Sequence, residues 1–189
     1  HTITVVIHGG EYMLDEPLTF GPEDSATGDH LIRYIGHPEE EVLISGGRRI
    51  TGWKKGENNL WTVTIPEVKS GDLFFRQLFV DGERLPRSRY PNPGKALRIE
   101  SLSKDKTELT LNEKPLLDNL AGKDTELVII QNWSCSRVQV VKSEGKKIFS
   151  PVPVGWIGHG HACEANPNDP IYFEHALEYV DQPGEWYLN

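Results

Sequence analysis

The chain has 189 residues, 37% of them hydrophobic and 9% aromatic, with 18 glycines and 13 prolines, a turn-rich composition for a chain long enough to bury its own core. Its net charge of −8 argues against nucleic acid as a partner, because phosphate contacts need clustered Lys and Arg. No apolar run approaches the about 20 residues of a membrane-spanning helix, so insertion of that kind is not expected.

Thr2 to His8 opens the chain as a strand, with Ile3, Val5 and Ile7 on one parity, and His8-Gly9-Gly10 ends it in a turn. There is no initiator Met and no charged-then-apolar leader before this strand, which predicts an upstream segment removed from the parent. Residues 21–29 are rich in Gly, Pro, Asp and Ser and read as a loop. Leu31–Ile35 and Val42–Ser45 are short apolar runs bounded by turn residues, the pattern of further strands.

From Leu60 the pattern changes. Leu60–Ile65 alternates with Trp61, Val63 and Ile65 on one parity, which makes Trp61 an expected core anchor. Gln77–Val80 is joined by Asp81-Gly82 to Glu83–Leu85, the strongest short hairpin signal in the chain. Strands are predicted at 97–99, 108–111, 126–130 and 137–141, and Ser143-Glu144-Gly145 turns into another at 147–149. Regular short strands with turns between them predict an antiparallel sandwich or barrel. Pro115–Leu120 is expected to hold a short helix inside a connection. Strands are predicted again at 171–173, 177–180 and 185–188, the last with Trp186 as a second buried anchor.

Several groups carry chemistry. In Gly158-His159-Gly160-His161-Ala162-Cys163, imidazole and thiolate alternate in a way that suits zinc, but the spacing is not a standard signature, and a glycine-rich loop is the favoured reading. No metal or other cofactor is therefore expected there. Trp133 and Trp156, beside loops, are candidate platforms for sugar rings, with His159 and His161 close to them in sequence. Arg87, Arg89 and Tyr90 form a basic and aromatic cluster that could engage acidic sugars. The competing and preferred reading of the arginines is an ion network with carboxylates, of which the chain has 28. Glu174, Glu178 and Asp181 are not distinguishable from solvated charges, and no catalytic residue can be assigned. Cys135 and Cys163 permit one disulfide without requiring it, and Asn132-Trp133-Ser134 is an N-glycosylation sequon.

Three longer stretches carry a resemblance: Phe75-Arg-Gln-Leu-Phe-Val-Asp-Gly-Glu-Arg-Leu-Pro-Arg-Ser-Arg-Tyr-Pro-Asn92, Ile44-Ser-Gly-Gly-Arg-Arg-Ile-Thr-Gly-Trp53 and Tyr179-Val-Asp-Gln-Pro-Gly-Glu-Trp-Tyr-Leu188. Together they resemble the N-terminal region of bacterial right-handed parallel β-helix proteins of the family 141 glycoside hydrolase type. The resemblance implies an all-β chain with β-helix coils over residues 1–50 and 150–189 and an inserted antiparallel β domain over 51–149. It further implies an extracytoplasmic, polysaccharide-degrading parent whose catalytic carboxylates lie on later coils. The partners would be a glycan and the remainder of the parent β-helix, and the fragment would flank the glycan groove without being active alone. A non-catalytic carbohydrate-binding or adhesion module on the same scaffold is the alternative.

Overall fold

Parallel pairing dominates the first part of the chain. In a computed structural model, which describes residues 2–189, β1 (Thr2–Ile7), β2 (Gly10–Met13), β3 (Leu31–Gly36) and β4 (Val42–Ser45) form two parallel pairs. β1 lies on β3 in register, from Thr2 opposite Leu31 to Ile7 opposite Gly36, and β2 lies on β4 from Gly10 opposite Val42 to Met13 opposite Ser45. Each round of chain therefore returns about one strand spacing beside its start, which stacks residues 29 apart in β1 and β3 and 32 apart in β2 and β4. β5 (Lys54–Lys55) and β6 (Trp61–Thr62) close a small antiparallel pair. These strands belong to a first unit that ends at Pro66. None of its described residues is buried. His1, the first residue of the expected 1–50 coil segment, lies outside the described residues.

The second unit, residues 67–189, is antiparallel and encloses a core. Its strands are β7 (Leu78–Val80), β8 (Glu83–Leu85), β9 (Arg89–Tyr90), β10 (Leu97–Leu102), β11 (Glu108–Leu111), β12 (Glu126–Ile130), β13 (Cys135–Gln139), β14 (Lys142–Glu144), β15 (Lys147–Phe149) and β16 (Pro170–Glu174). β7 and β8 form the predicted hairpin. Its two turn residues, Asp81 and Gly82, both take positive φ, 51° and 80°, as a tight hairpin turn matched to strand twist requires. The main sheet runs β13-β12-β16-β10-β11-β15-β14, with β9 on β16. Its two end strands, β13 and β14, are separated by only Val140 and Val141 in the chain. The sheet must therefore curl until its ends approach, and the enclosed space is filled from alternate positions.

Leu97 and Ile99 of β10, Leu109 and Leu111 of β11, Leu127 and Ile129 of β12, Ile148 of β15, and Ile171 and Phe173 of β16 are all buried in one cluster, as strand periodicity demands. Leu120, Val154 and Tyr179 close it from the connections.

Several expectations are corrected. Within residues 150–189, β16 lies antiparallel between β10 and β12, in the second unit. The reason is Ile171 and Phe173, whose burial completes that core. The separate antiparallel body accordingly begins near residue 67 and reaches 189, rather than spanning 51–149. Residues 115–120 are irregular instead of helical, because Ser143 holds the backbone locally, its hydroxyl donating to the Asp118 carbonyl and accepting from the Leu120 amide. The predicted strand at 177–180 is a 3-10 turn over Leu177–Tyr179 that inserts Tyr179 into the core. The predicted strand at 185–188 contracts to one parallel bridge between Arg87 and Trp186. Trp186 is buried, as expected, whereas Trp61 in the first unit is exposed.

Candidate glycan-binding surface

Exposed Trp133 is set by the β12–β13 connection. Gln131 organises it: its amide accepts from Ser136 and Ser134 and donates to the Ser136 hydroxyl. The Trp133 amide then donates to the Ala162 carbonyl at 3.1 Å, and Ser134 donates to the Cys163 carbonyl at 3.2 Å. This ties the Trp133 turn to the loop that follows Val154. In that loop Gly155 bridges to Glu164 at a φ of 83°, and a Cβ there would stand 2.4 Å from the Ala165 amide nitrogen. Only glycine fits. The Trp156 amide donates to the Cys163 carbonyl at 3.0 Å, and the His159 ring lies 4.4 Å from the Trp156 ring.

The result is a surface on which Trp133 is 82% exposed and Trp156 60% exposed, with Ile157 also exposed. Large apolar side chains held outward by a rigid backbone signify a binding surface more often than chance. Indole faces suit the C–H faces of sugar rings, and nearby imidazoles and carbonyls suit their hydroxyls. Trp133, Trp156, His159 and His161 are thus brought to neighbouring loops. His161, also exposed, has its carbonyl bound by the Asn166 side-chain amide at 2.8 Å. Cys135 is exposed, Cys163 is buried, and both are free thiols.

The arginine cluster goes elsewhere. Arg87 is buried, and its guanidinium donates to Glu126 at 2.6 Å, to Glu174 at 3.0 Å and to His175 Nδ1 at 2.8 Å. Arg76 donates to the other Glu126 oxygen at 2.6 Å, and Arg137 pairs with Glu174 and, at 3.6 Å, with Glu126. The reading of Arg87 as a fork for acidic sugars is therefore corrected: its donors face carboxylates inside the body, in the arginine–carboxylate network that was the competing reading. Arg89 lies 3.6 Å over the Tyr172 ring and donates to the Pro91 carbonyl. Tyr90, half-buried, stacks on Tyr179 at 5.8 Å.

The electrostatics define what this network does. Burial alone would raise the Glu126 carboxyl, but hydrogen bonds from Arg76 and Arg87, with their charges, outweigh it and hold the group at about 2. An arginine can only donate, so His175 Nδ1 must carry the lone pair and the ring is neutral. Burial first, and the Arg87 charge second, keep its proton affinity below the ordinary value. Glu126 and Glu174 both accept from Arg87 Nη1, and Arg137 pairs with both, so the two carboxylates are engaged by cations inside the body. Two acids locked by three arginines fasten β12, β13 and β16 to the segment that follows β8.

Sequence reasoning missed Glu126, Glu174 and His175 as members of this network. The available signal is at His175, which takes a φ of 69°, a conformation in which His is enriched among residues with a side chain. The C-terminal stretch that carried part of the resemblance also meets the stretch at 75–92. The Ser88 amide donates to the Trp186 carbonyl at 2.8 Å, the Trp186 indole N–H to the Leu85 carbonyl at 3.2 Å, and Asn92 to Asp181 at 2.9 Å.

Fold comparison identifies the class. The chain is similar over 100% of its length to a solved structure titled "Glycoside hydrolase", with a TM-score of 0.75 and 30% sequence identity. It spans about a third of that protein, 34% of its length. Residues 58–189 match the GH141 insertion domain, and the chain belongs to that family. No curated protein matches it. The chain is a glycoside hydrolase-related, all-β protein, and no helix among the described residues is long and apolar enough to cross a membrane.

Proposed function

We propose that this chain is the N-terminal part of an extracytoplasmic, polysaccharide-degrading glycoside hydrolase of bacterial origin, and that it flanks the glycan groove without supplying the catalytic acids. The observation that carries this reading is the surface of Trp133 and Trp156, whose rings stay in solvent while their backbones are tied to one rigid body. The parallel, in-register pairs β1–β3 and β2–β4 support a reading of this part as rungs of a right-handed parallel β-helix, and their exposed apolar residues, among them Ile3, Val5 and Leu31, suit cover by further coils of the parent. Chemistry then belongs to carboxylates on those coils. Family membership and the glycoside hydrolase match support the activity class. An extracytoplasmic home fits a polysaccharide substrate, which is too large to enter a cell intact.

Affinity electrophoresis of the chain through gels containing neutral and acidic plant polysaccharides tests the surface. Retardation by at least one polysaccharide is expected, and the W133A/W156A double variant should lose it while keeping the wild-type melting temperature. Equal retardation of the double variant, or no retardation by any polysaccharide, contradicts the role given to the tryptophans. Turnover by the full-length parent, with binding alone by this chain, would separate the hydrolase from a non-catalytic binding module.

A further inference from the structure

Parallel pairing places two histidines at one corner of the first unit. β1 and β3 end in register, Ile7 opposite Gly36, and the ladder continues one step as the His37 amide donates to the Ile7 carbonyl at 2.8 Å. The next residues on the two levels, His8 and His37, therefore leave the ladder together. Their rings stack at 5.1 Å with planes 25° apart.

A carboxylate faces both. After His37 the chain turns, the Glu40 amide donating to the His37 carbonyl at 3.3 Å, and the Glu40 side chain reaches back to accept the Gly9 amide at 2.5 Å. Its oxygens stand 3.1 and 3.3 Å from His8 Nδ1 and 3.5 Å from His37 Nδ1. Among the described residues this is the group of three whose metal-ligating atoms converge, all within 4.8 Å of one another. His159, His161 and Cys163 do not form such a group among the described residues.

We propose that His8, His37 and Glu40 form a binding site for a divalent transition metal of the zinc class, which clips the turn after β1 to the turn after β3. Three observations converge on it. Zinc bonds to imidazole nitrogen and carboxylate oxygen are about 2.0–2.2 Å, so neighbouring ligands of a tetrahedral ion stand about 3.3–3.5 Å apart. A single carboxylate oxygen, Glu40 Oε1, stands 3.3 Å from His8 Nδ1 and 3.5 Å from His37 Nδ1, which matches that edge. The carboxylate is held in place by a backbone amide that does not depend on either imidazole, so it is oriented before any ion arrives. Two nitrogens and one carboxylate favour zinc, cobalt, nickel or copper over calcium and magnesium, which prefer all-oxygen sites. His8 is exposed and His37 only partly covered, which leaves a path for the ion and a fourth position for water. The site is independent of the glycan reading, since every ligand lies in the first unit.

Equilibrium dialysis of the chain, freed of any affinity tag, against zinc chloride at pH 7.5 with metal quantification tests it. One zinc per chain is expected to be lost or weakened at least about tenfold in each of H8A, H37A and E40Q, and kept in H159A/H161A. Calcium chloride should give no stoichiometric binding. The E40Q side chain can still accept the Gly9 amide, so its far-UV circular dichroism should match the parent and its loss of zinc reports ligation. Absence of stoichiometric zinc, binding unchanged in H8A and H37A, or binding abolished by H159A/H161A overturns the proposal.

Discussion

Residues 2–66 and residues 67–189 solve the problem of strand burial in opposite ways. The first unit pairs strands in parallel and leaves every described residue at least partly exposed, including Ile3 at 59% and Leu31 at 60%. The second curls an antiparallel sheet around fifteen buried apolar residues and locks β12, β13 and β16 with a buried ion network. Parallel pairing of successive rounds satisfies backbone hydrogen bonds but encloses nothing until more rounds are added. Antiparallel pairing with its end strands joined by two residues encloses a core at once. Stability should therefore concentrate in the second unit, and its loops can hold exposed tryptophans because the core beneath them is complete.

The largest expected contrast comes from matched truncations. Phe173→Ala removes a ring from the centre of the core and should cost about 3–5 kcal/mol, whereas Ile3→Ala on the exposed ladder should change stability by less than about 0.5 kcal/mol. Urea unfolding followed by tryptophan fluorescence measures both, and similar costs would erase the distinction between the units. A somewhat smaller loss, about 3 kcal/mol, is expected for Arg87→Met. It leaves Glu126 and Glu174 buried without their shared cation, and breaking a buried pair costs more than the pair contributes. If R87M unfolds at the wild-type urea concentration, the network is not a fastening.

Acid should sharpen the same contrast with a smaller effect. His175 has a lowered folded pKa, so its contribution is complete above the ordinary histidine value of about 6.5 and is lost as pH falls through the lowered one. Glu126, held at about 2, contributes fully above the ordinary glutamate value of about 4.3 and loses that contribution as pH falls toward 2. Melting temperature should begin to drop below about pH 6.5 and fall more steeply below about 4.3. A curve flat from pH 7 to pH 3 would contradict both assignments.

Much of this fold was legible in the sequence where one physical signal acted locally. Asp81-Gly82 specified a hairpin because both positions need positive φ, and short apolar runs marked the strands at 97–99 and 108–111. Legibility failed where long-range pairing decided. Ile171 and Phe173 look alike whether their strand joins a parallel stack or an antiparallel sheet, and only the burial they complete assigns β16 to the second unit. Trp61 alternates like a core residue, yet its two-residue strand in the first unit encloses nothing. Trp133 and Trp156 were recognisable as candidates from their place beside loops. Their connection through the Ala162 and Cys163 carbonyls was not, because backbone contacts across about 30 residues leave no trace in side-chain pattern. His8 and His37, 29 residues apart, converge only once the register of β1 on β3 is known.

Native-state hydrogen exchange of the whole chain, resolved by peptide and mass spectrometry, tests the division between the units most directly. Amides of β10, β12 and β16 should exchange only through global unfolding, while those of β1 to β4 should exchange at least about a hundredfold faster through local opening. Equal protection of the two sets, or greater protection in β1 to β4, would contradict a self-enclosed second unit and an open parallel ladder in the first.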